Sequence, residues 1–129
     1  MQQKVLMEKY PVFHADIAKS ETTLASADDV VDFLKARIDA DPGIAYVATF
    51  DHYAHTQAIG GDINPDMKAA RNVVFCFGKA LPNPDVLSVR PRSIGVADMG
   101  DHFHVSFLEA PMKLANETME GWVKSMRNT

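Results

Sequence analysis

Residues 93–108 read SIGVADMGDHFHVSFL, and this stretch decides the fold. Ser93 to Asp98 and His102 to Leu108 are two strand-like runs flanking Met99-Gly100, a short glycine-containing connection of the kind that closes an antiparallel hairpin. Downstream of Pro111 the pattern changes to helical and holds to Met126. Ala115, Met119, Trp122, Val123 and Met126 fall on one stripe, with Lys113, Glu117, Glu120 and Lys124 on the other. Gly121 costs this helix about 1 kcal/mol relative to alanine. Upstream, Asn72 to Phe77 is almost wholly apolar and is expected to be a central strand covered on both faces. Gly78 ends it, and Pro82-Asn83-Pro84 marks an ordered loop with one turn of helix over Asp85 to Ser88.

Further toward the N-terminus, Ile44 to Phe50 is rich in residues that pack well on a pleated sheet. Asp51 ends that strand and caps a short helix from His52 to Ile59, stopped by Gly60-Gly61. Asn64-Pro65 has the cap-then-proline order that opens helices, which predicts a short helical turn through Ala70. Val12 to Lys19 alternates with period two and reads as a strand. Ser26 followed by Asp28 and Asp29 is a helix start, because the hydroxyl accepts from open amides and the carboxylates suit the positive dipole end. Val30, Phe33, Leu34, Arg37 and Ile38 continue that helix until Asp41-Pro42-Gly43. The expected order is β-α-β-(short α)-β-β-β-α. It describes an α+β fold, a mostly antiparallel five-stranded sheet with two main helices packed on one face.

No fixed period, linker or composition break divides the chain, so residues 1–129 are expected to form one α+β domain. Apolar residues make up 47% of the 129, enough for a core without disulfide or metal support. The lone Cys76 forms no internal disulfide and fits a reducing compartment. Its apolar neighbours make it an expected core residue rather than a nucleophile. A net charge of −4 with scattered Lys and Arg argues against nucleic-acid binding. No apolar run reaches the ~20 residues of a membrane helix, and residues 1–10 do not read as a secretory signal, so a cytoplasmic protein is expected.

Four of the five histidines form two pairs. His52 and His55 share one side of a helix, and His102 and His104 share one face of a strand. Brought together, the four would suit Zn, Ni, Cu or haem. The plainer reading is ordinary surface histidine, and no metal site is expected. A different set lies at strand ends, where loops converge on ligands. Asp51, His52 and His55 follow the second strand, Gly78 and Lys79 follow the third, and Arg90 and Arg92 lead into the fourth. Lys79, Arg90 and Arg92 suit a carboxylate or phosphate, and His52 suits proton transfer near neutral pH. No phosphate-binding glycine loop, nucleotide fingerprint, zinc-protease motif or nucleophile elbow is present, so no cofactor is indicated.

Phe50-Asp51-His52, Gly60-Gly61, Val74-Phe75-Cys76-Phe77-Gly78 and Asn83-Pro84 are spaced like the markers of domain-of-unknown-function family 302. Pro91, Asp98-Met99-Gly100 and Val105-Ser106-Phe107 match its later markers, so the chain resembles that family from about Ala25 to Pro111. The sequence departs from it by inserting Lys79-Ala80-Leu81-Pro82 before Asn83-Pro84 and by lacking a leucine before Pro91. The resemblance implies a small α+β domain of the TATA-binding-protein-like kind, commonly dimeric, with no reaction attached. The expected function is therefore a cytoplasmic ligand-binding or interaction domain, a homodimer, holding a small anionic molecule in one strand-end cleft. The alternatives are a small enzyme with His52 as general acid or base, and a metal or haem binder using the histidine pairs.

Overall fold

The computed structural model describes residues 1–127. Six antiparallel strands form one sheet in the order β1-β2-β6-β5-β4-β3. In chain order they are β1 (Gln2–Leu6), β2 (Tyr10–Ala18), β3 (Ile44–Asp51), β4 (Ala69–Phe77), β5 (Arg92–Asp98) and β6 (His102–Leu108). Three helices accompany them: α1 (Ala27–Asp39), α2 (His52–Ala58) and α3 (Lys113–Lys124), with 3-10 turns at Lys19–Glu21 and Pro84–Ser88. The architecture is α+β as expected.

The sheet is larger than the expected five strands, because residues 2–6 add β1. All five of its residues are exposed, and in the sheet it pairs with β2 alone, Gln2 opposite His14 and Leu6 opposite Tyr10. A strand that buries none of its side chains leaves no alternation to read. A second correction concerns residues 64–70, where Asn64 forms a local turn through Asp66 rather than a helix, and β4 begins at Ala69.

The core lies between one face of the sheet and the two longer helices. Alternation along each strand sends Ala15, Ile17, Val73, Phe75, Ile94, Val96, Phe103, Val105 and Phe107 inward. They meet Val30, Leu34 and Ile38 of α1 and Ala115, Met119, Trp122 and Val123 of α3, all in one cluster. Ser26 caps α1 by accepting from the Asp29 amide at 3.1 Å, as its position predicts. Trp122 packs edge-on against Phe75 at 5.4 Å and lies nearly parallel to Phe77 at 6.1 Å, fixing α3 on the end of β4. Short α2 buries no residue.

Both longer helices lie on this one face of the sheet, which corrects two expectations. β4 has a strand on either side, but only its Val73 and Phe75 side is buried, and the middle of the sheet is β5 and β6. Val73 and Phe75 face the helices, so Cys76 faces away, opposite Ala45, and is only half-buried. An apolar run does not distinguish a two-face strand from a one-face strand whose outer residues are also apolar, and the inert core role expected of Cys76 fails for that reason.

Candidate functional site

Antiparallel pairing decides which candidate residues meet. Ile44 lies opposite Phe77 and Asp51 opposite Arg71, so the end of β3 that carries α2 is the far end of β4 from Gly78. Arg92 lies opposite Phe75, which puts Arg90 and Arg92 with Gly78 and Lys79. Asp51, His52 and His55 therefore sit at one end of the sheet and Gly78, Lys79, Arg90 and Arg92 at the other. The single cleft expected from sequence is divided into two places.

At the α2 end, Asp51 Oδ1 accepts from the Ala54 amide at 2.9 Å and pairs with Arg71 Nη1 at 3.0 Å. Arg71 Nε reaches Asp28 of α1 at 3.4 Å, so the carboxylate of Asp51 serves a cap and a bridge between elements rather than orienting His52. The His52 and His55 rings lie against Phe50, at 5.3 and 5.4 Å between centroids. His52, Tyr53, Thr56, Asp62, Asn64 and Met67 border an open recess of about 140 Å³.

The other histidine pair lies on the face of β6 turned away from the core. Asp16 of β2 approaches His104 Nδ1 at 2.7 Å and His102 Nε2 at 3.6 Å, and His14 stacks on His104 at 5.7 Å. The hydrogen bond with His104 is the main reason the Asp16 carboxyl is held below its usual range, despite some opposing burial. Burial, then Lys4, then His104 hold the His14 imidazole below its ordinary value. β4 and β5 separate β6 from β3, so the two pairs do not converge. Among the described residues, no three His, Cys, Asp or Glu side chains gather where they would hold a metal ion.

The Gly78 end is built differently. Phe77, Val86, Val89, Ala110, Pro111, Met112 and Ala115, with the two arginines Arg90 and Arg92, line a mainly apolar recess of about 150 Å³. Three pieces of chain make its walls. Asn83 accepts from the Asp85 and Val86 amides at 3.0 and 3.3 Å and so starts the 3-10 turn that presents Val86. The Arg90–Pro91 bond is cis. On the opposite wall, Asn116 of α3 accepts from the Ala110 amide at 2.7 Å and donates to the Ala110 carbonyl at 2.9 Å, pinning the segment between β6 and α3. Sequence reasoning missed Asn116, whose polarity in the first helical turn is unremarkable until the facing backbone is known.

Both arginines are held by backbone carbonyls. Arg90 Nη1 donates to Ala80 at 2.6 Å, Arg92 Nη1 donates to Val89 at 3.2 Å, and Arg92 Nη2 donates to Leu108. Arg92 Nε is buried without an acceptor. Burial lowers the pKa of this guanidinium from its ordinary value, though a guanidinium stays charged. Neither side chain pairs with a carboxylate among the described residues. Gly78 has φ +86°, and a Cβ built there would lie 3.0 Å from Arg90 Nη2, so glycine satisfies both the backbone and the guanidinium beside it. Lys79 does not line this recess. It borders a larger, more open one of about 380 Å³ with Val47, Cys76, Leu81 and Leu87, and Arg90 lines both.

No described helix is long and apolar enough to cross a membrane. No curated protein and no solved structure matches the chain. The resemblance to family 302 pointed to a domain of unknown function, and that much is shown, with a different family in its place. Over residues 1–128 the sequence matches the family of unknown function DUF6858, and the chain belongs to that family.

Proposed function

We propose that the chain is a small-ligand-binding domain that holds a small anionic molecule at the Gly78 end of the sheet. What supports this reading is the charge of Arg90 and Arg92, carried beside an apolar recess and met only by neutral carbonyls. A guanidinium offers five N–H donors, and the two carbonyls at Arg92 leave others for a ligand. A carboxylate or phosphate oxygen would add the missing counter-charge, and such charge-assisted bonds are about twice as strong as neutral ones. Of the seven expected ligand residues, Arg90 and Arg92 line the recess, Gly78 lies against Arg90, and Lys79 borders the neighbouring recess. Asp51, His52 and His55 stand apart from it.

Thermal melting of the purified protein against a panel of acetate, benzoate, citrate and inorganic phosphate tests the reading. A ligand at a hundred times its Kd adds about 2.7 kcal/mol of stability, a shift easily read in a melt. The expected result is a raised Tm with at least one anion and loss of that response in Arg92→Gln. No response to any anion overturns it.

The same reading has the domain acting in the cytoplasm, where a free thiol persists, and as a homodimer through the sheet face turned away from α1 and α3 or through an open edge. Both helix stripes are already buried in their own core, which leaves the sheet as the surface for a second copy. Light scattering on the purified chain tests this, and a monomer at every concentration refutes it.

A further inference from the structure

The size and lining of the recess say more about the ligand than its charge alone. Beyond the arginines, every side chain around it is apolar: Phe77, Val86, Val89, Met112 and Ala115, with Ala110 and Pro111 at its edge. Its volume of about 150 Å³ is that of a cavity known to accept a benzene ring. A bare inorganic anion would satisfy the guanidinium and leave those walls against water. A long acyl chain would run past these walls into water, so its far end would gain nothing from them. Resting on the anion-binding reading above, we propose that the ligand is a carboxylate on an apolar body of about six carbons, straight or aromatic. Its head meets Arg92 and its body lies against Phe77, Val86 and Met112.

Several observations converge on this assignment. The planar two-oxygen head of a carboxylate matches the planar fork of a guanidinium. Arg92 combines partial burial with the absence of an acidic partner, so a single negative charge balances it where water is partly excluded. Val86 is placed by the Asn83 cap and Ala110 by the Asn116 clamp, so the walls stand before any ligand arrives and little ordering cost is added on binding. The site also contains its own reporter. Trp122, the only tryptophan, lies nearly parallel to Phe77, which forms one wall of the recess.

The test is titration of the full chain with acetate, butyrate, hexanoate, benzoate, inorganic phosphate and 1-hexanol, followed by Trp122 emission and by calorimetry. Burial of each methylene is expected to tighten binding about fourfold from acetate to hexanoate. Benzoate is expected to bind comparably to hexanoate, and 1-hexanol at least tenfold more weakly. Arg92→Gln is expected to abolish the preference for hexanoate over 1-hexanol. Val86→Phe, which narrows the recess and leaves the arginines in place, is expected to abolish hexanoate binding while sparing the fold, as judged by its circular dichroism.

The failures are separable. Equal affinity for phosphate, acetate and hexanoate overturns the apolar-body assignment and leaves the anion reading standing. Binding of 1-hexanol as tight as hexanoate overturns the role of Arg92 and with it both readings. No binding of any of these compounds also overturns both. Hexanoate binding unchanged in Val86→Phe moves the ligand out of this recess and refutes the assignment even if chain-length dependence is seen.

Discussion

Replacing Asn116 with alanine removes two hydrogen bonds at once, the acceptance from the Ala110 amide at 2.7 Å and the donation to the Ala110 carbonyl at 2.9 Å. Ala110 is 6% exposed, so its backbone groups have little access to replacement water. A net intramolecular hydrogen bond is worth about 1 kcal/mol, and a buried group left without a partner costs about 1–3 kcal/mol. The two losses share one peptide segment and do not simply add, which puts the expected destabilisation at about 2–4 kcal/mol. For a chain of this length that lowers Tm by about 8–16 °C. Urea unfolding followed by circular dichroism at 222 nm measures the energy, and amide hydrogen exchange at Ala110 reports the segment. Asn116→Asp restores only the acceptor and is expected to fall between wild type and alanine. A loss below about 0.5 kcal/mol in Asn116→Ala, with protection of the Ala110 amide unchanged, would refute the clamp and the pre-formed wall that depends on it.

Other outcomes follow from geometry already described. Gly78→Ala forces a Cβ onto φ +86° and against Arg90; it is expected to cost about 1–2 kcal/mol in a denaturant melt, and a neutral result would remove the requirement for glycine there. Acid should weaken the protein in two windows. The lowered His14 imidazole makes the folded state bind its proton less readily than the unfolded chain, so stability is lost as pH falls below about 6.5. The lowered Asp16 carboxyl contributes stability that is present above about 3.9 and lost as pH falls through its depressed folded value. Asp16 is 59% exposed, so screening holds its share to a few tenths of a kcal/mol at most, by about the measure of surface pairs. His14→Gln is expected to flatten the first window and Asp16→Asn the second, and unchanged stability-against-pH curves in both variants would refute the assignments.

Much of the framework was legible because each element carried a local physical signature. Period-two alternation marked β2, the glycine connection marked the β5–β6 hairpin, and the Ser26 and Asp51 caps marked the starts of α1 and α2. Both helix stripes read from spacing are the stripes that are buried. β1 was hidden because its five residues are all exposed and its existence depends on a partner strand. The Asn64-Pro65 pair looked like a helix start but closes a turn before β4, showing that a local cap does not ensure propagation. At the candidate site, residue chemistry was readable and location was not. Whether Gly78 shares an end with Asp51 or with Arg92 depends on strand direction, which single-residue patterns do not encode. Asn116 was invisible for a related reason, since its partner is a peptide group rather than a side chain.

The position of β2 has a consequence for how the molecule comes into being. Val12 pairs with Leu108 and Ala18 with His102, whereas β3, β4, β5 and β6 each lie beside their sequence neighbour. A ribosome releases the meander partners one after another, but β2, beside which only β1 can pair at first, must wait for the last strand to emerge before it joins the rest of the sheet. Closing that long loop is the costliest ordering event in the topology. During the interval Ile17, which is fully buried in the finished fold, stays uncovered. The slowest and most aggregation-exposed moment in the life of this chain is therefore set at its N-terminal side, and the speed with which β6 appears governs how long it lasts.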